Sequence, residues 1–156
     1  MKRMTRVLAV VMLSFAVLGA SAEEKGKMMS GQAKGTFEVK MEPIAGSDAF
    51  PRLAMKKQWH GDLEATSEGQ MMSVGGAVEG SGAYVALERV TGTLGGRKGS
   101  FALVHSGTMR RGGEFSMIIR VVPDSGTDEL SGISGTLQIL FEGKNHLYQL
   151  DYTLPE

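Results

Sequence analysis

The chain has 156 residues, 17 basic and 17 acidic side chains, a formal charge of +0 and no cysteine. That balance gives no electrostatic case for binding nucleic acid. The lack of cysteine excludes both a disulfide framework and a lipid anchor on a processed cysteine. Twenty-two glycines are about twice the average usage of about 7%, and their placement turns out to be the strongest architectural signal in the chain.

The first residues read as a leader. Lys2, Arg3 and Arg6 precede an uncharged apolar run, Val7 to Ala20, which is followed by Ala20-Ser21-Ala22. A positive start, a short apolar stretch and a small-residue cleavage site define a secretory signal peptide over residues 1–22. The run is too short for a spanning helix. Cleavage after Ala22 predicts a periplasmic or secreted protein with no stable membrane anchor. It also removes three basic residues and no acidic one, which leaves a mildly acidic mature chain. Residues 23–33, polar and without periodicity, are expected to be a flexible lead-in. Residues 34–156 are then a single domain.

Eight strand-like runs follow, at Lys34–Glu42, Leu53–Thr66, Gln70–Val78, Ala83–Leu94, Ser100–Met109, Glu114–Val122, Gly132–Phe141 and Asn145–Leu154. Between most of them lie short, polar, glycine-bearing breaks. Ser67-Glu68-Gly69, Gly95-Gly96-Arg97-Lys98-Gly99 and Glu142-Gly143-Lys144-Asn145 are examples. Such breaks make hairpins. No segment has sustained 3.6-residue periodicity, and nothing is long enough for parallel crossovers. The pattern is all-β, an up-and-down antiparallel meander.

Glycines inside the runs, Gly92 and Gly107 among them, decide between closed and open sheets. Glycine within a strand marks a bend, a bulge or a close backbone approach, and closing a sheet needs repeated bends. An eight-stranded β-barrel is therefore expected, with a β-sandwich as the alternative. A barrel of eight strands is filled by side chains or holds one small ligand.

Six residues are candidates for lining such a ligand site: Tyr84, Glu88, Phe101, His105, Tyr148 and Tyr152. His105 shares a face with Phe101, Leu103 and Met109. Tyr148 and Tyr152 share one with His146 and Leu150. Amphipathic aromatics of this kind suit a cavity. For the strand around Glu88, burial preference favours Val85 and Leu87 as the core face, with Glu88 in water. If Glu88 points inward instead, burial should raise its pKa and equip it for proton transfer.

His60, Asp62 and Glu64 alternate along one strand face and could converge on a cation. Trp59 and Leu63 on the opposite face look like core, so the three are read as a solvated outer face and no metal site is assigned. The methionines are read as packing and not as a copper site. The Gly95–Gly99 corner lacks the spacing and following helix of a phosphate loop. No cofactor is expected, and no nucleophile-elbow context surrounds Ser106 or Ser125.

A series of segments carries a family resemblance. It comprises Lys34–Val39, His60–Glu64, Tyr84–Leu94, Arg97–Phe101, His105-Ser106-Gly107 and Val122–Thr127. Together they resemble a bacterial family of domains of unknown function with an allene oxide cyclase-like barrel, distantly similar to allene oxide cyclase and plant dirigent proteins. The resemblance covers about Ala33 to Pro155. It implies an eight-stranded barrel and a homo-oligomer. Three functions remain open: a barrel binding a small apolar or amphipathic molecule in its lumen, a cyclase or isomerase that controls the conformation of a bound intermediate, and a structural module with a filled barrel.

Overall fold

The structure is a computed structural model describing residues 26–46 and 49–156. The leader and its cleavage site lie outside the described residues. Eight antiparallel strands close into a barrel in sequence order. They are β1 (Met28–Ile44), β2 (Arg52–Gly61), β3 (Leu63–Gly75), β4 (Gly82–Leu94), β5 (Arg97–Arg110), β6 (Glu114–Val121), β7 (Ser134–Glu142) and β8 (Asn145–Pro155). The sandwich alternative is excluded.

Closure depends on the length of β1. Its second half, Gly35–Ile44, pairs with β2, while its first half, Met28–Phe37, pairs with β8. The lead-in expected to be flexible over 23–33 is thus strand from Met28 onward. The polar composition there reflects an outer face in water, with Ala33 buried on the inner face.

The run Leu53–Thr66 is two strands, not one. It folds back at Gly61, whose φ of +108° favours glycine. The triplet His60, Asp62 and Glu64 builds this corner. The Gly61 amide donates to Glu64 Oε1 at 2.8 Å and the Lys34 amide to Asp62 Oδ2 at 2.8 Å. All three residues are exposed. Among the described residues no group of three or more such side chains could hold a metal. The expected turn at Ser67-Glu68-Gly69 is instead the middle of β3, where Ser67 faces inward and Gly69 pairs with Glu88.

The strand glycines act by proximity. A Cβ on Gly92 would overlap the Glu64 carbonyl and Ala65 on the neighbouring strand, and one on Gly107 would overlap the Tyr84 ring. Tyr148 and Tyr152 likewise lie across from Gly35 and Gly31 on β1. An inward tyrosine covering a cross-strand glycine recurs around the barrel, a pairing that stabilises otherwise empty strand positions.

The interior has two halves. At one end Trp59, Leu63, Val90, Phe101, Leu103, Tyr148, Leu150 and Leu154 form a dense core. Leu130 and Ile133, from the β6–β7 connection and its single 3₁₀ turn Asp128–Leu130, join this core and close the end. At the other end the inward positions of successive strands are Met41, Leu53, Met71, Tyr84, Met109, Phe115, Met117, Ile139, Phe141 and His146. They are partly or largely exposed, with Met41 at 45% and Phe141 at 66%.

One seam is short. β5 and β6 match over eight residue pairs and β7 and β8 over nine, whereas β6 and β7 match only at Ile119–Leu137 and Arg120–Thr136.

Candidate functional site

Between the packed end and the open end lies a layer of buried polar side chains. Lys57 on β2, Ser67 on β3, Glu88 on β4 and His105 on β5 all point inward and are all buried. The strand pattern that places Trp59 and Met55 inside places Lys57 between them, because alternate residues share a face. The same parity puts Glu88 between Ala86 and Val90, and His105 between Leu103 and Gly107.

Strand β4 is thus turned opposite to the sequence expectation. Glu88 is 2% exposed, whereas Val85 and Leu87 are 50% and 63% exposed. Burial preference failed here because Glu88 meets a complete set of partners inside. Lys57 Nζ donates to its Oε2 at 2.6 Å. Ser67 Oγ donates to its Oε1, and Trp59 Nε1 donates to Ser67 Oγ at 2.9 Å. His105 Nε2 stands 3.1 Å from Oε2. The Lys57 ammonium also lies 5.0 Å from the Phe37 ring centre and 4.9 Å from that of Trp59. There the ring faces attract a cation.

These partners reverse the expected pKa shift. Burial alone pushes the Glu88 carboxyl up. His105, then Lys57 and Ser67, outweigh it and hold the pKa at about 2. Glu88 therefore stays ionised across the physiological range and cannot serve as a general acid. The expectation that an inward Glu88 would be tuned for proton transfer is overturned. Its charge is neutralised by Lys57, which satisfies the requirement that buried ions be paired.

All six candidate residues face the interior, but they do not form one pocket. Phe101 and Tyr148 belong to the packed end, at 0% and 2% exposure. The Tyr148 hydroxyl accepts from the Leu63 amide at 2.9 Å and donates to the His60 carbonyl at 3.3 Å, clamping the β2–β3 corner. Burial raises its pKa, so the phenol stays protonated. Tyr152 lies further towards the same closed end, beside Gly31 and Gly95. Glu88 and His105 form the polar layer. Tyr84 alone reaches the open end, two positions beyond Ala86. Sequence reasoning missed Lys57 and Ser67. Lys57 was legible only by parity, as a lysine sharing a face with Met55 and Trp59.

The fold and this layer define a class: a closed antiparallel barrel with one plugged end, one open end and a buried ion pair between them. Within that class, the chain belongs to the DUF3224 family, described as proteins of unknown function, which matches residues 33–152. A solved structure from Shewanella oneidensis MR-1, a protein with unknown function from the DUF3224 family, is similar over 82% of this chain and 99% of its own. It has 38% sequence identity and a TM-score of 0.75. No curated protein matches.

Proposed function

We propose that this protein is an exported barrel that binds a small apolar or amphipathic molecule inside its open end. One observation carries the reading, namely the change in the interior at the Lys57–Glu88–His105 layer. Below it, Phe101, Trp59 and Leu150 are fully buried, so no water-sized space borders them. Above it, inward side chains are accessible and almost wholly apolar, with Met71, Met109, Met117, Phe115 and Ile139 on four strands. Methionine adapts to irregular shapes and suits an apolar ligand of loosely defined outline. The Tyr84 hydroxyl supplies a neutral hydrogen-bonding group at this level. Export rests on the leader at residues 1–22.

The cyclase or isomerase reading has less support. Glu88 is held ionised in its ion pair and does not deliver a proton, so catalysis would rest on conformational control, with the inward His105 as the remaining proton-carrying group. The allene oxide cyclase-like resemblance fits a hollow barrel of this size but assigns it no chemistry.

The test is native mass spectrometry of the full chain purified from its own source, followed by solvent extraction. We expect a small apolar molecule bound one per chain, and its loss in Met117→Arg, which places a charge at the mouth. Protein that is repeatedly empty, or a ligand unaffected by Met117→Arg, would overturn the reading.

A further inference from the structure

The outer surface of the barrel carries a second apolar concavity, on the opposite side of the sheet from the interior. It is a groove of about 890 Å³ over β3, β4 and β5. Its floor is Met72, Val85, Leu87 and Val104, each at least 40% exposed. Register makes them one patch, since Met72 lies across from Val85 and Leu87 across from Val104. This patch is the counterpart of the inverted β4. Putting Glu88 inside obliges Val85 and Leu87 to stand in water, and contiguous exposed apolar surface marks a binding surface.

Arg52 and Arg89 line the groove, and Arg120 stands just outside its lining. Arg89 follows Leu87 on the outer face of β4 and lies across from Ala102 on β5. Arg120 on β6 lies across from Val104. The two arginines therefore flank the small residue Ala102 and its neighbour Val104 from either side. Both are exposed, and neither side chain makes a hydrogen bond or ion pair with a described residue. The acidic side chain across from Arg89, Glu68, is turned to Lys56 at 3.5 Å. Arg52 lines the other end of the groove, one guanidinium nitrogen donating to the Ala45 carbonyl at 3.1 Å.

We propose that this outer groove binds a single-chain amphipathic anion, a fatty-acid-like carboxylate. The tail lies along Val85, Leu87 and Val104, and the carboxylate is held between Arg89 and Arg120 above Ala102. Charge complementarity carries the choice. An excess of positive charge around the apolar floor disfavours pairing with a second copy of the same face, because like charges would meet across the contact. It favours a negative head joined to an apolar tail. Guanidinium groups suit a planar carboxylate because they can bind it through two parallel hydrogen bonds. The site is distinct from the open end of the barrel and does not depend on it.

Calorimetric titration of the purified chain with dodecanoate, below its micellar concentration, tests the proposal. Dodecanol serves as the neutral probe of equal length. We expect dodecanoate to bind at least tenfold more tightly than dodecanol. Arg89→Ala/Arg120→Ala should weaken dodecanoate at least tenfold and leave dodecanol unchanged. In the Met117→Arg background, which removes binding at the open end, Leu87→Asp should abolish the binding of both probes without lowering the melting temperature further, because Leu87 is exposed. Met117→Arg, inside the barrel, should leave dodecanoate binding intact, which separates this site from the open end. Four results would each overturn it: no binding of dodecanoate, equal binding of the two probes, indifference to the arginine pair, or loss through Met117→Arg. Sedimentation showing a dimer that Leu87→Asp converts to monomer would give the face to a second copy instead.

Discussion

Glu88 shows how one side chain can invert a strand. A carboxylate inside a barrel is costly, but Lys57, Ser67 and His105 supply partners to both of its oxygens. Its pKa is depressed from 4.5 to about 2. The stability this contributes is fully present above about pH 4.5 and is lost as pH falls from there towards 2. The loss is on the order of 3 kcal/mol for a shift of this size. Thermal melts between pH 7 and 2 should show that loss in the wild type and little of it in Glu88→Gln. The pairing makes a second prediction. Lys57→Met alone leaves a buried anion without its cation and should cost about 3–5 kcal/mol, whereas Lys57→Met/Glu88→Leu should recover most of that loss. Denaturant titration of both variants checks this. A double variant no more stable than the single would mean that the pair contributes net stability.

At the level of elements, the glycines separate by what surrounds them. Gly92→Val and Gly107→Val should each destabilise by more than 2 kcal/mol, since a side chain there collides with backbone or with the Tyr84 ring. Gly75→Val should be nearly neutral, because nothing lies within 4 Å of the added carbon. Tyr84→Ala should partly rescue Gly107→Val and leave Gly92→Val unchanged. Melting temperatures of this set decide the matter, and equal losses at Gly75 and Gly107 would show that strand propensity, not overlap, governs. The sequence carried the strand count, the antiparallel order and the closure, because alternation and glycine placement are local signals. It misplaced the second hairpin, since Gly61 and Asp62 lie within an unbroken alternating run while Gly69 imitates a turn. It also misjudged the face of β4. Burial preference weighs each residue alone, whereas Glu88 is held by residues 21 and 31 positions away in sequence. The candidate site was legible in its members but not in its grouping. Alternation put Phe101, His105, Tyr148 and Tyr152 on inward faces and misplaced Tyr84 and Glu88, while which residues sit in packed core depends on the Leu130–Ile133 plug, which has no strand period to reveal it.

The whole molecule is sealed at one end and accessible at the other, with apolar surface both inside the mouth and along the β3–β5 flank. Its hydrogen-bonding around the ring is uneven, with one seam far shorter than its neighbours. If the ring is followed through its continuous pairing, it starts at β7, passes through β8 and β1, and ends at β6. The barrel is then a single rolled sheet whose two long edges belong to strands adjacent in sequence and joined by the plugging connection. Edges that meet over two residue pairs release their amides first, because local opening follows the fewest shared contacts. Hydrogen exchange should therefore be fastest, among strand residues, along 114–118 and 138–142, and slowest along β3–β5. The plug gives this seam a further meaning. Leu130 and Ile133 can seat only after the sheet has curled, so the connection that closes the floor also latches the cylinder, and the barrel opens by unrolling from β6 and β7 rather than by losing a terminal strand.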